Sequence, residues 1–424
     1  MKKVMLKTTL SLAVAMASSQ LFASGFALNE QSVSGMGTGF AGRSSSADDA
    51  STIAGNPAGM SRLKRDQITA GVAAIDAKTD IKNVSGGAPR GTNDGDMVPF
   101  TAVPMLFAVK KFDDNLAFGL GVYAPFGLIT DYESGFGGRY YGKKSEVKVV
   151  TFQPTVSYAF NEYVSVGFGP TFNRINGNLT SATPLAATFG RNDGKVDIKG
   201  DDTAWGYKIG VLVTPTDKTN IGITYTSKVK YKLEGHTNIS GIGFGPFNGG
   251  RFGASLDITT PESVDFSITQ KLDDQWTVYA GSTWTRWSRL KEITVNNEGV
   301  PAQLGGSTGP IGTINEPQNW HDTWASAIGA SFQVNKQWVL RTGFTVDQSP
   351  TNNTDRSVRI PTGDRKIVSF GAGFNATDDL TIDAALSYLW EEEVNVNRTG
   401  KGTPYNAEYK NSAWGYALGA TYKF

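Results

Sequence analysis

The chain closes on Trp414-Gly415-Tyr416-Ala417-Leu418-Gly419-Ala420-Thr421-Tyr422-Lys423-Phe424, with an apolar or aromatic residue at every second position and Phe424 at the very end. Side chains alternate faces along a strand, so Trp414, Tyr416, Leu418, Ala420, Tyr422 and Phe424 share one face. A soluble edge strand can alternate in the same way, but it rarely carries so many aromatics and usually carries protective charge. The stretch therefore reads as a lipid-facing strand of a transmembrane β-barrel of the outer-membrane type.

The front of the chain agrees. Met1 to Ala23 starts basic (Lys2, Lys3, Lys7), continues apolar from Thr8 to Met16 and ends in small and polar residues. That is the pattern of a secretory signal peptide, 1–23, too short and wrongly flanked to be a spanning helix. Its removal takes the formal charge from +1 to about −2, which leaves no basic surface for nucleic acid. There is no cysteine, so no disulfide or thiolate metal site is available. No later stretch is apolar long enough for a membrane helix, and an exported chain rich in glycine and aromatics then has little choice but a closed barrel.

Segments rich in Val, Ile, Thr, Tyr, Phe and Trp alternate through the rest of the chain. Clear examples are Ile221, Ile223, Tyr225 followed by Val229, Tyr231, Leu233; Val150, Phe152, Val156, Tyr158, Phe160; and Leu380, Ile382, Ala384, Leu386, Tyr388, Trp390. Small or polar residues such as Thr381, Asp383 and Ser387 fall between them and suit an inward face. The pattern predicts strands at 67–81, 98–111, 115–124, 145–160, 163–178, 196–215, 219–235, 252–271, 276–294, 317–334, 337–348, 364–374, 380–396 and 411–424. The count is fourteen, an even number, as a single-chain bacterial barrel requires. Short turns (Asp113–Asn115, Asn161–Glu162, Thr216–Lys218, Asp273–Gln275, Asn335–Lys336, Asn375–Asp379) alternate without exception with longer Gly- and Asn-rich links. Short periplasmic turns and long external loops are the expected asymmetry, and they place both ends of the barrel, 66–424, on the periplasmic side. Pro261 interrupts one strand and reads as a bulge on a strand that continues.

Residues 24–65 do not alternate. They hold Ser34-Gly35-Met36-Gly37-Thr38-Gly39, Ala47-Asp48-Asp49-Ala50 and Gly55-Asn56-Pro57-Ala58-Gly59-Met60. Ser46 is placed to cap a short helix over Ala47–Ile53, which Asn56-Pro57 would end. A segment with so few charges and so many small and apolar residues is not compositionally disordered. A fourteen-stranded lumen is too wide for wall side chains alone to fill, so the expectation is a compact hatch inside it.

The chain here resembles the FadL-type outer-membrane transporters of hydrophobic compounds. The resemblance is carried by Leu28-Asn29-Glu30, the Gly-rich run, Ala47-Asp48-Asp49-Ala50 and Asn56-Pro57-Ala58, then by Trp320-His321-Asp322-Thr323 and Trp338-Val339-Leu340-Arg341-Thr342-Gly343. It extends through Asp347-Gln348-Ser349-Pro350, Ile360-Pro361 and Asp364-Arg365. It covers essentially the whole mature chain. It implies a fourteen-stranded antiparallel barrel in the bacterial outer membrane, a hatch at its periplasmic end, and uptake of long-chain fatty acids or similar molecules without a cofactor, by a monomer. Outer-membrane lipid, lipopolysaccharide and the barrel-insertion machinery are the expected surroundings. The family's third strand is kinked and opens sideways, which on this chain falls at Pro125-Phe126-Gly127. Pro125 cannot donate to a ladder and Gly127 is conformationally free, so pairing should fail there. A plainer reading makes Pro125 the start of external loop 125–144.

Other candidate residues follow from chemistry. Asn56, Pro57 and Ala58 fix a tight turn and dock the hatch. Leu128, Ile129 and Phe136, with Phe244 and Phe247 of the loop at 236–251, are expected both to pack on one another and to form a first apolar capture site, two compatible readings. A carboxylate ligand would gain from a basic partner in an apolar pocket, for which Arg341, Arg359 and Arg365 are candidates, with Arg286 and Arg289 behind them. Acids such as Asp322, Asp347 or Asp364 could pair with them instead. The stretch Glu316–Ala325 departs from the resemblance: it carries His321 and no Lys or Arg, which leaves room for neutral aromatic or alkane hydrocarbons. An outer-membrane hydrolase is a remote alternative, because only His236 and His321 exist and an enzyme has no use for a hatch. Catalytic and metal-ligating residues are not expected.

The terminal aromatic, as the family's ending implies, is an outward-facing signal for barrel insertion. Phe424→Asp should lower the folded, heat-modifiable fraction in outer membranes, measured by gel mobility. Normal insertion would transfer the signal to the alternation itself.

Overall fold

A computed structural model describes residues 25–185, 191–244, 247–302 and 306–424. The side chains of Phe244, Phe247 and Asn248 lie outside the described set, as does the expected signal peptide at 1–23. The chain forms one closed sheet, an antiparallel barrel of fourteen strands. They are β1 (Gln67–Gly86), β2 (Thr101–Lys111), β3 (Leu116–Asp131), β4 (Lys144–Ala159), β5 (Val164–Ala182), β6 (Lys195–Thr216), β7 (Thr219–Thr226 and Val229–Phe244) and β8 (Phe247–Thr260 and Ser263–Lys271). The circuit continues with β9 (Trp276–Thr285 and Glu292–Glu298), β10 (Thr313–Pro317 and Thr323–Gln333), β11 (Trp338–Asp347), β12 (Arg365–Asn375), β13 (Leu380–Glu391 and Val394–Arg398) and β14 (Tyr405–Lys423). β14 pairs back onto β1 from Gln67↔Lys423 to Gly86↔Tyr405, which closes the barrel.

Local chemistry makes the periplasmic turns. Asp113, Asn161, Asp273 and Asn335 each accept two backbone N–H groups two and three residues ahead, as in Asn115 and Leu116 onto Asp113 Oδ1. Thr377 does the same through its hydroxyl, and Thr216 accepts from Lys218 N. Short polar side chains that satisfy their own turn are strong local signals, which is why these hairpins were legible.

The external ends differ from expectation. β3 runs to Asp131, β5 to Ala182 and β14 starts at Tyr405, and the expected loop at 236–251 is a paired ribbon that includes His236. Apolar alternation stops at the membrane surface, but backbone pairing continues into solvent. A second difference is parity. On β7, Gly222 and Thr224 face the lumen below the break at Ser227–Lys228, whereas Val229, Tyr231 and Leu233 are buried above it. These three therefore point inward, not to lipid. β8 pauses at Pro261–Glu262 and resumes, as a bulge predicts, and inward positions change from Asp265 and Ser267 to Ile258 and Phe252. An interruption that adds one residue to a strand of period two flips every side chain beyond it.

Residues 25–63 lie inside the lumen. α1 (Val33–Gly37) is capped by Ser32, whose Oγ accepts from Gly35 N, and α2 (Thr52–Gly55) runs into a 3-10 turn, Pro57–Arg62. The expected helix over Ala47–Ile53 is absent. Ser46 Oγ donates to Gly42 O, and Asp49 accepts from Ser51 N and Ser34 Oγ, so the backbone turns before Thr52. Asn56 ends α2 as expected. Its Oδ1 accepts from Ala58 N, and its Nδ2 donates to Ser44 O at 2.6 Å and to Val211 O of β6 at 3.0 Å. Inward glycines let the hatch backbone reach the wall. A Cβ on Gly210 would stand 1.8 Å from Asn56 Oδ1, and one on Gly222 1.8 Å from Ser44 O.

Asn56 is wholly buried. Asn56→Ala removes two donors that pin the hatch and orphans buried carbonyls, a cost of about 1–3 kcal/mol. The expected outcome is a lower heat-modifiability midpoint and a raised single-channel conductance in planar bilayers. Unchanged values of both would show that the hatch is held elsewhere.

Candidate functional site

The strand pairing fails on one side of β3. β2 and β3 pair from Lys111↔Ala117 only to Leu106↔Val122, and contact resumes at Asp131 N, which donates to Met97 O. Between these points β3 bulges: Ala124 and Pro125 stand against the single residue Val150 of β4. Pro125, Phe126 and Gly127 are thus inside a strand, not at the start of a loop. The edge that β2 leaves is taken by the hatch. Leu28 N donates to Pro125 O and Gly127 N to Phe26 O, each at 2.9 Å, with Ala27 bridging Phe126.

Phe26 carries this junction to an aromatic cluster. Its ring lies 4.9 Å from Trp287, 5.6 Å from Phe126 and 6.0 Å from Trp320, and the two tryptophans are 5.1 Å apart. On its far side is a cavity lined by Phe26, Leu128, Ile175, Leu233, Ile258 and Ile293, among other apolar groups. Its polar lining includes Ser145 and Arg359. A vestibule adjoins it on the outside, lined by Leu179, Ile198, Ile239, Ile311 and Ile314 together with Glu316 and Lys401. The opposite side of the lumen is mixed. A cavity there is bordered by Glu30, Arg43, Asp265, Thr283, Thr345 and Ser387 together with Met36, Phe40, Ile367 and Leu389.

The basic candidates are all paired. Arg341 meets Asp383 at 2.6 Å, Arg359 meets Glu316 at 3.1 Å and Arg365 meets Asp347 at 3.4 Å. Arg286 and Arg289 share Glu262. Of the acids expected as partners, Asp347 serves in that role, while Asp322 accepts from Ser288 N and Asp364 from Ser349 N. Only Arg359 of the three central candidates borders the apolar cavity. Burial would push the Glu316 carboxyl up, but Arg359 and Lys401 override it and hold it down at about 2.

Leu128 lines the cavity, whereas Ile129 packs on the neighbouring core. Phe136 is fully buried, stacked 3.8 Å from Tyr132 and edge-on to Tyr405. Mutual packing, one of the two compatible readings of this loop, is seen at Phe136. Phe244 and Phe247 stand at the tip of the β7–β8 ribbon, but their side chains are outside the described residues. His321 is exposed, and His236 lies 3.2 Å from Arg251 on that ribbon. Gly305-Gly306-Ser307-Thr308-Gly309 has nucleophile-elbow spacing, yet Ser307 sits in a 3-10 turn of an external loop rather than at a strand-to-helix turn. Sequence reasoning missed Ile175, Leu233, Ile258 and Ile293. For Leu233 and Ile258 a signal was available: both are apolar residues beyond a strand break at which the lumen-facing parity changes.

Closed barrel, internal plug and apolar cavity define a transport protein of the outer membrane. Residues 14–424 match the family described as outer membrane protein transport protein (OMPP1/FadL/TodX), and the chain belongs to that family. It is similar to the long-chain fatty acid transport protein of Escherichia coli O6:H1, 27% identical over 454 residues and covering 100% of this chain and 99% of that one. It is also similar to outer membrane protein P1 of Haemophilus influenzae, 27% identical over 432 residues, 92% of this chain and 90% of the other. Among solved structures, a Pseudomonas aeruginosa FadL homologue superposes with a TM-score of 0.82 at 25% identity, covering 94% of this chain and 99% of that one. The toluene transporter TbuX of Ralstonia pickettii shares the fold, with a TM-score of 0.67 at 19% identity, covering 90% and 95%.

Glu316 lies below its ordinary 4.5, so its ion pair stabilises above that value and the contribution is lost as pH falls toward about 2. Thermal scans across this window should show Glu316→Gln losing less stability than the parent, by something on the order of 2 kcal/mol. Parallel curves would show that the pair contributes no pH-dependent stability.

Proposed function

We propose that the protein takes up hydrophobic molecules, long-chain fatty acids foremost, by passive capture in the outer vestibule, transfer to the apolar cavity and lateral exit between β2 and β3. The observation that carries this reading is the position of Phe26, which touches both the cavity and the unpaired edge of β3. The cavity's long aliphatic lining with one guanidinium suits a chain with an acidic head. The fatty acid transport proteins among its relatives support the same substrate class.

Direction follows from solvation. Passage onward into periplasmic water would re-expose the chain at about 0.8 kcal/mol per CH₂. Exit into the bilayer avoids that cost, and it needs a gap whose backbone groups are not left bare in lipid. Pro125 has no N–H, and Phe26 to Leu28 cover the neighbouring groups until the hatch segment shifts. A second reading, neutral hydrocarbons, is favoured by one observation: Glu316 already occupies Arg359.

Gly127→Arg puts bulk and charge at the gap while keeping the backbone N–H that Phe26 O accepts. Uptake of labelled oleate, and separately of toluene, should fall to background in cells lacking other transporters, with heat modifiability unchanged. Pro125→Val should impair uptake more mildly. Full uptake of both compounds by folded Gly127→Arg protein would move the route to the hatch.

A further inference from the structure

The inner cavity and the vestibule meet at one ion cluster. They share Leu179, Ile198, Ile293, Val295 and Arg359, whereas Glu316 and Lys401 border the vestibule. Arg359 Nε donates to Glu316 Oε2 at 3.1 Å, and Lys401 Nζ donates to Glu316 Oε1 at 3.1 Å. The side chains of Arg359 and Glu316 are 6% and 9% exposed and that of Lys401 34%, so the cluster is dry on the inner side and wet on the outer. The guanidinium is fixed from behind: Nη1 donates to Lys144 O, Ser145 Oγ and Thr180 O at 2.9–3.2 Å. It is therefore a preorganised, wall-anchored donor at the neck between two apolar spaces. A well-packed apolar cluster of the same volume often stabilises a fold as much as a buried ion pair does, so stability alone does not call for charge here. A barrel that needed only to close its neck could do so with apolar residues.

We propose that Arg359 is a carboxylate subsite on the transport route, and that Glu316 occupies it in the resting protein as a built-in surrogate of the ligand's head group. An incoming fatty carboxylate takes Arg359 while Glu316 keeps Lys401, which stands on the solvent side. No charge is left unpaired at any stage, and a neutral hydrocarbon passes without displacing the acid. This rests on the reading of the cavities as sites for hydrophobic molecules. It also makes the neck selective for chain length. The head group must displace a tethered competitor of high effective concentration, so the acid has to bring enough tail to bury. Glu316, held well below the usual carboxylate range, stays ionised and in place at neutral pH.

The test uses the purified full chain in detergent, with oleate, octanoate and oleyl alcohol as probes and tryptophan fluorescence as the readout. Glu316→Gln, folded by heat modifiability, should bind oleate about three- to tenfold more tightly and octanoate more so, with oleyl alcohol within about twofold of the parent. Lys401→Met strands Glu316 on Arg359 and should weaken oleate relative to oleyl alcohol, which decides the matter if the Gln variant does not fold. Equal shifts for oleate and oleyl alcohol, or weaker oleate in Glu316→Gln, overturn the subsite and leave the proposed transport intact. Failure of the parent to bind either long-chain probe overturns the cavity reading itself, and the subsite with it.

Discussion

Backbone hydrogen bonding in hydrocarbon is the constraint from which the rest follows. An unpaired N–H or carbonyl facing lipid costs several kcal/mol, so a chain that crosses with strands must close its sheet. Here β14 on β1 supplies the closure along nearly the full height of the wall. The same constraint limits how the wall can be opened. Where β2 lets go of β3, the structure places a proline that has no donor and lays Phe26–Leu28 along the edge that remains. The opening and its cover are one device, and the cover is the leading segment of the plug.

The plug is held by apolar packing, as of Val33, Ile53 and Met60 with Met105, Phe107 and Ala117 of the wall, and by close backbone approach. Wall glycines admit hatch backbone at Gly210, Gly222 and Gly343, and buried hydroxyls bridge the two bodies, as in Ser44 to Ser267 and Ser45 to Thr269. This arrangement divides the lumen. One side keeps mixed walls and acidic residues. The other, behind Phe26, is aliphatic. Apolar surface lies on that single side, in the vestibule and in the inner cavity that reaches Phe26, with the Arg359–Glu316 pair between them.

That aliphatic side exists because strands change parity. β7, β8 and β13 each pause and resume with the opposite face inward, so Leu233 and Ile258 turn into the apolar cavity and Val396 into the neighbouring core. A barrel of strict alternation would carry one kind of surface inside from top to bottom. Short interruptions let it be polar around the hatch and apolar above.

The amino-acid sequence by itself determined the barrel, its fourteen strands and the short turns that join them at one end. These rest on period two and on turn residues that satisfy their own backbone, both local properties. Asn56-Pro57-Ala58 and the Pro125–Gly127 break were legible for the same reason. Tertiary structure alone decided the site. Val229, Tyr231 and Leu233 looked like lipid-facing residues until a two-residue pause reversed them. Phe136 looked like a loop aromatic until Tyr132 and Tyr405 enclosed it. Arg359 found Glu316, 43 positions away in the chain, rather than any of the acids expected for it. Cavities and ion pairs are made where distant strands and loops converge, and no period in a sequence records which residues will converge.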